Sequence, residues 1–348
     1  MADIGDVARR AGVSTATVSR ALRGVGRVAE STRARVREAA QELGYSVSPS
    51  ASRLATGRTG TVAVVVPFVS RWSYGQIIEG AEAVLRMAGL DMLLYNLADA
   101  EGRRRMFAGN RLRGRVDAVL VLYLPMTQEE KDALRSLDVP VAVVGALEPE
   151  FFGVRIDDVA AARTAVRHLL HLGHRRIGLI GGVGYDQGMP FTSQIDRRTG
   201  YLDALREAGV EPDPATEAVA DFTVDGGTRA MTRLLSGDGP VPTAVFAHSD
   251  EMAYGAMRAL RQAGLDVPGD VSVIGFDGHD MSELMGLSTV VQPLCELGAV
   301  AGQQLLAALT ENADRAPAHR VEPTELVLRG STGPPPGSDR TPSPARPS

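Results

Sequence analysis

The sequence predicts two kinds of fold in one chain: an all-α helix-turn-helix head, then an α/β body of two doubly wound parallel-sheet subdomains. Three observations predict it. Charge is divided between the ends: residues 1–58 hold ten Arg against five Asp and Glu, a net of +5, while the other 290 residues carry −10. Two short helical patterns near the start are separated by a Gly-containing turn. From Thr61 onward, short apolar runs alternate with amphipathic helical stretches.

The head occupies residues 1–45. Ile4, Val7, Ala8 and Ala11 recur at helical spacing, and "AGVS" then breaks the pattern. Gly12 supplies a C-terminal stop and Ser14 an N-cap. Thr15 to Arg23 forms a second helix, with Val18, Ala21 and Leu22 as its apolar side. A third begins near Ser31, turns Val36, Ala39, Ala40 and Leu43 inward and stops at Gly44. At 100° per residue, Thr15 and Ser19 share a stripe, Ala16 and Arg20 lie beside it, and Val18 and Leu22 face Val7 and Ala11. The outer face is therefore small, hydroxyl-rich and followed by a long cation. Such a face suits a DNA major groove: small residues admit base edges, and Arg20 can donate a bidentate pair to guanine. Ser14, Thr17 and Ser19 can donate to phosphates, and Arg23, Arg27 and Arg33 add sequence-independent attraction. The bland alternative is a small helical domain with solvated hydroxyls; the basic charge, the turn and the helix spacing together argue against it.

Residues 46–60, "SVSPSASRLATGRTG", read as a linker. Residues 49–56 can make two helical turns, too short to persist in water without a partner. The body spans residues 61–330. Its strands are read at "TVAVVV", "DMLLYN", "DAVLVL", "VPVAVVG", "RIGLIGG", a weak segment near Ala218, "TAVFAHS", "VSVIGFD", "STVVQPL" and "TELVLRG". Helices are expected at Gly75–Gly89, Arg197–Ala208 and Leu294–Leu309. The late elements are candidates to cross back to the first subdomain. Residues 331–348 are rich in Pro and Ser and read as a disordered tail.

Several function classes are disfavoured. Cys295 is the lone cysteine, so no intrachain disulfide forms, which fits a reducing cytoplasm. "MADIGDVARR" has no secretory h-region, and no apolar run approaches the ~20 residues a membrane span needs. Gly182, Gly184 and Gly188 loosely match a dinucleotide-binding loop, but the spacing is wrong and Pro190 opposes a helix there. His168, His171 and His174 lie around a helix end with no carboxylate or cysteine beside them, and solvation suits them better than metal. No nucleophile–base pair is visible, so no enzyme and no cofactor is expected.

The chain resembles the lactose-repressor/galactose-repressor family of bacterial regulators. The likeness rests on "IGDVARRAGVSTATVSRAL", "LGY", "ASRLATGRTGTVAVVVP", "GHRRIGLI", "RRTGYLDALREAGV", "HSDEMAYGAMRALRQAGLDVPGDVSVIGFDG" and "TVVQPLCELG", spread over residues 3 to about 330. It implies a periplasmic-binding-protein-like body and a cytoplasmic homodimer on a palindromic double-stranded operator. Contacts to DNA are implied from the second helix, from Tyr45, and from the linker through Ala51, Arg53 and Leu54. Leu54 would be the apolar wedge that unstacks a base step and bends the duplex; packing against a dimer mate or the body is its alternative. The linker departs from the family's "GYxPN" form: it reads "GYSVSP", which shifts the start of any linker helix.

The resemblance also implies a small effector, usually a sugar or nucleobase, between the subdomains. Ligands of open parallel sheets sit beyond the carboxyl ends of the strands. Ser249, Asp250 and Asp277 fall at such ends, and Arg197 opens a helix. Trp72, Tyr74 and Phe222 can supply apolar faces for a sugar ring, and Gln292 can close the pocket. Asp250 serves equally well as a helix N-cap, and Trp72 as core. Ser249 replaces the more usual Asn. A transport-type sugar-binding protein is the competing reading of the body; the basic head and the absent signal oppose it.

Overall fold

The computed structural model describes residues 2–23, 27–45, 58–108, 111–182, 192–237, 239, 241–310 and 317–337. The chain divides into two compact units, Met1–Thr59 and Gly60–Ser348.

In the first unit, α1 (Ile4–Ala11) begins with a reciprocal cap. The Asp3 carboxylate accepts from the Asp6 amide, and Asp6 accepts from the Asp3 amide, each at 2.9 Å. It ends at Gly12, whose φ of 67° is the left-handed conformation glycine adopts without steric cost. Helix α2 (Thr15–Arg23) starts behind Ser14, whose hydroxyl accepts from the Thr17 amide at 3.2 Å. Helix α3 (Glu30–Glu42) packs across both. Val7, Val18, Ala21 and Val36 are wholly buried at their junction, with Leu22 and Tyr45 packed against them. Leu43 does not face inward as its spacing suggested. It follows the last helical residue and is 37% exposed, because the helix ends one residue too early to carry it round.

The second unit has two sheets. The first runs β2-β1-β3-β4-β5-β11, from β1 (Thr61–Val66), β2 (Asp91–Asn96), β3 (Ala118–Leu122), β4 (Val141–Val144), β5 (Phe152–Arg155) and β11 (His319–Val321), all parallel. The second runs β7-β6-β8-β9-β10-β12, from β6 (Ile177–Gly181), β7 (Glu217–Val219), β8 (Ala244–Ala247), β9 (Ser272–Asp277), β10 (Ser288–Val291) and an antiparallel edge strand, β12 (Glu325–Val327). Val62 to Val66 are all fully buried, which is why "TVAVVV" does not alternate: a parallel strand covered on both faces has no solvent side.

The chain crosses between the sheets more than once. Helix Leu294–Thr310 leaves β10 and packs on Trp72–Met87, whose strands lie in the first sheet. Two glycines set that contact. A Cβ on Gly80 would lie 1.9 Å from the Cys295 carbonyl oxygen, and one on Gly298 would lie 1.9 Å from that of Ile77. β11 then joins the first sheet and β12 the second. Strands β5 and β11 were not foreseen; "FGVR" and "HRV" are too short and mixed to register as apolar runs.

The tail expected to be disordered from residue 331 is part of the fold as far as 337. Ser331 is 2% exposed; its hydroxyl donates to the Val273 carbonyl at 2.6 Å and accepts from the Ser288 amide at 2.8 Å. Gly333 bonds the Ser272 hydroxyl through its amide and a ring nitrogen of His174 through its carbonyl. Polar composition hid these bonds, because they depend on where β9 and β10 pass. His174 is accordingly fully buried rather than solvated, while His168 meets Thr332 and His171 its own helix. Among the described residues no helix is long and apolar enough to cross a membrane.

Candidate functional site

On α2, Val18 and Ala21 point into the head, and the opposite face is open. Ser14, Thr15, Ala16 and Arg20 are exposed, and Thr17 and Ser19 are half-buried. The Ser14 and Thr17 hydroxyls lie 2.9 Å apart, and the Arg20 Nε donates to the Ala16 carbonyl at 3.2 Å. Arg20 therefore lies along its own helix at the surface, where it can swing outward at the cost of one exposed bond. Arg27 is exposed and Tyr45 is half-buried on the head's core. Arg23 is the last residue of α2. Ala51, Arg53 and Leu54 lie outside the described residues.

In the second unit a cavity of about 200 Å³ opens where the strands of both sheets end. Tyr74, Arg197, Phe222, Ser249, Asp277 and Gln292 line it, as expected from their sequence positions; so do Phe68, Arg71, Ser73, Tyr123, Ser193, Asp221 and Glu251, which were not anticipated. Tyr123, Phe222 and Asp277 have φ of 48°, 57° and 119°. Left-handed backbone in non-glycine residues costs of order 1–3 kcal/mol each and persists only when the surroundings enforce it. Here Gly145 helps: the Tyr123 ring lies against its backbone, where any Cβ would come within 2.3 Å.

Arg197 organises the floor. Its Nε donates to the Asp158 carboxylate at 2.7 Å and its Nη1 to the His248 carbonyl, and Nη1 lies 3.6 Å from the Asp277 carboxylate. The guanidinium also stacks 3.7 Å from the centre of the Phe276 ring. Burial disfavours its charge, but Asp158 and Asp277 outweigh that and hold its pKa above the ordinary value. Asp277 is pushed up to about 8, by burial first, with Arg197 opposing and Asp250 adding to the rise. Gln292 bridges: its amide donates to Asp277 at 2.7 Å, and its carbonyl accepts from the Tyr123 hydroxyl at 3.2 Å. Tyr74 stacks on Tyr123 with ring centres 5.6 Å apart. Burial raises both phenol pKa values, so both hydroxyls keep their protons as donors.

Two expected cavity residues stand elsewhere. Asp250 is fully buried and accepts four bonds: from the Gly278 and His279 amides at 3.0 and 2.7 Å, the Ser282 hydroxyl at 2.8 Å and the Thr289 hydroxyl at 2.6 Å. It is not the N-cap either; Ser249 caps that helix through the Met252 amide. Asp250 instead fixes the turn after Asp277, and burial raises its pKa to about 6 against those bonds. Trp72 is absent from the cavity wall because its ring is taken up outside it. It stacks on His279 at 4.5 Å, and its Nε1 donates to Asp280 at 3.3 Å. Beside it, Arg71 donates to the Asp221 carbonyl at 2.7 Å, tying the loop after β1 to the loop after β7.

Comparison with known proteins decides the family. A profile of bacterial regulatory proteins of the lacI family matches residues 3–48, and a periplasmic binding protein-like domain matches residues 166–332. The HTH-type transcriptional repressor CytR of Escherichia coli (strain K12) is 36% identical over 335 residues, covering 95% of this chain and 96% of that protein. The chain belongs to the lacI family of bacterial regulatory proteins. Catabolite control protein A of Priestia megaterium is 34% identical, with 86% of this chain and 90% of the relative covered. Among solved structures, a lac repressor dimer bound to operator and the anti-inducer ONPF superposes with a TM-score of 0.82 at 27% identity, covering 95% of this chain and 99% of that one. A cellobiose complex of the regulator CelR gives 0.71 at 32% identity, covering 95% and 100%. This lacI-family chain is accordingly a DNA-binding regulator of transcription and not an enzyme. Of the cavity residues missed in a lacI-family reading, two carried a signal: Tyr123 and Asp221 each closely follow a strand, as Asp277 ends one.

Proposed function

We propose that this lacI-family regulator represses transcription as a cytoplasmic homodimer on a palindromic operator, and that a small polyhydroxyl effector in the cleft releases it. The observation that carries the reading is the division of α2. Val18 and Ala21 anchor one face at zero exposure, while Thr15, Ala16 and Arg20 are exposed on the other with nothing bulky between them. In this reading Ala16 and Arg20 approach base edges, Ser14, Thr17, Ser19, Arg23 and Arg27 hold phosphates, and Tyr45, Ala51, Arg53 and Leu54 continue the interface into the minor groove. Effector binding changes the orientation of the two subdomains, and the linker helices lose their mutual support.

The cleft supports a sugar-like ligand through its composition. Tyr74, Tyr123 and Phe222 offer ring faces, while Arg197, Ser249, Asp277 and Gln292 offer both donors and acceptors, as hydroxyls require. Asp250 supports Asp277 from behind.

The test is a duplex selected from a random library, titrated with the full chain with and without each of a set of sugars. Binding should weaken steeply with salt. One sugar should reduce operator affinity at least ~5-fold, the low end of ordinary allosteric coupling. Equal affinity for selected and scrambled duplexes refutes the DNA-binding assignment. Unchanged operator affinity under a saturating cleft ligand refutes the release mechanism.

A further inference from the structure

Five charged residues line the cleft, and four are already engaged. Arg71 donates to the Asp221 carbonyl. Arg197 is held by Asp158, Asp277 and the His248 carbonyl. Asp221 accepts from Thr223 and pairs with Arg229 at 3.1 Å, and Asp277 accepts from Gln292. Glu251, the second residue of helix Asp250–Gln262, differs. It lines the cavity, is half-buried, and its carboxylate makes no hydrogen bond or ion pair among the described residues. Burial pushes its carboxyl pKa up, the attraction of Arg71 pulls it back, and the nearby Asp250 adds to the rise.

A carboxylate is an acceptor with several unfilled lone-pair positions, and leaving it half-desolvated without donors is unfavourable. The remedy is a ligand that brings donors. The lining holds three carboxyl groups and two guanidinium groups, and Arg197 is already bonded to the Asp158 carboxylate and the His248 carbonyl. An arriving phosphate would lose its own hydration and meet Glu251, while of the two cations that line the cavity Arg197 is bonded to Asp158 and Arg71 to the Asp221 carbonyl.

We propose that Glu251 is a ligand-contacting residue that selects an effector bearing hydroxyl or ammonium donors and rejects its phosphorylated form. This inference rests on the reading of the cleft as the effector site and narrows its ligand class. Selection works by both routes open to a binding site: attraction of a donor, and an uncompensated like charge against the competitor.

The experiment titrates the full chain by calorimetry with matched probes: D-glucose, D-glucosamine and D-glucose 6-phosphate, then D-ribose and D-ribose 5-phosphate. The unphosphorylated member of at least one set should bind at least tenfold tighter than its phosphate. Glu251→Gln should weaken that ligand at least tenfold, and Glu251→Lys should narrow or reverse the preference over the phosphate. Glucosamine binding above glucose assigns an ammonium to Glu251; the opposite order assigns a hydroxyl. The ligand-free melting curve of each variant verifies that it is folded. A phosphate ester binding as tightly as its parent overturns the proposal. So does a Glu251→Gln affinity within twofold of the unaltered protein, or a panel in which nothing binds. Operator titration of the unaltered chain is read separately, so a failure of the DNA-binding assignment is distinguishable from a failure here.

Discussion

The outer face of α2 and the floor of the cleft are two polar sites built on opposite plans. Thr15, Ala16 and Arg20 are exposed, bonded weakly or within their own helix, and have φ, ψ of an ordinary helix. Arg197 and Asp158 are buried and paired, Asp277 stands 3.6 Å from the same guanidinium, and the backbone around them adopts sparsely populated conformations at Tyr123, Phe222 and Asp277. The first site is ready for a large, flat, anionic partner that supplies its own complement. The second resembles a completed interior with a small gap in it. Loss of a group should therefore cost binding in the head, and both stability and response in the cleft.

The largest effect should come from Arg197→Leu. Removing one member of a buried ionic cluster leaves the other charges uncompensated, at a typical cost of 3–5 kcal/mol. Asp158 would lose its paired cation, and Asp277 the guanidinium 3.6 Å away. Chemical denaturation should show that loss together with the disappearance of effector response. A destabilisation below ~1 kcal/mol would mean that the cluster is far better solvated than its burial implies.

The pH dependence sharpens the same contrast. Asp277 has a folded-state pKa of about 8 against an ordinary 3.8. The folded state therefore holds this proton more tightly than the unfolded chain. Its contribution to stability is complete below pH ~4 and is lost as pH rises through about 8. Asp250, raised to about 6, acts in the same direction over a narrower window. The melting temperature of the unaltered chain minus that of Asp277→Asn should fall from pH 5 to pH 9, by several degrees. A difference constant across that range would show that Asp277 ionises normally in the fold.

The head was more legible in the sequence than the cleft, for a physical reason. A helix face is a local object: Thr15, Ala16, Val18 and Arg20 are assigned to sides by a 100° step, and no distant residue changes that. The buried strands were legible too, since Val62–Val66 and Ala118–Leu122 need both faces apolar. Strand ends then pointed to Ser249 and Asp277, and both line the cavity. What did not show is whatever depends on a second strand. Asp250 carries the same residue type and position as a ligand contact; only the arrival of Gly278, His279, Ser282 and Thr289 around it makes it structural. Tyr123 reaches the cavity through a left-handed backbone that no pattern of tyrosines encodes. Ser331 is ordered by β9 and β10, 58 and 43 residues upstream.

Within the head, Arg20 and Arg27 separate two kinds of contact. Arg20→Ala should weaken the best operator by about 1–3 kcal/mol and relax base preference at one position of each half-site. Arg27→Ala should weaken all duplexes alike and lower the slope of log affinity against log salt by about one per subunit. Binding to selected and scrambled duplexes across a salt series distinguishes them. The same profile for both variants would place Arg20 on the phosphates.

The smallest expected effect tests whether the hydroxyl face has a structural share. Ser14 accepts from the Thr17 amide and shares its hydroxyl contact with Thr17. Ser14→Ala removes a helix cap, which typically costs ~1 kcal/mol. Ser14→Gly restores much of the cap's backbone preference but no hydroxyl, and costs only a few tenths of a kcal/mol at such sites. If Ser14 acts on DNA as well as on its helix, the glycine variant should keep the head's melting temperature near that of the unaltered chain and still bind operator less tightly. Should operator affinity recover in step with stability, the Ser14 hydroxyl serves α2 alone, and the phosphate contact belongs to Thr17, Ser19 or the first-turn amides of the helix.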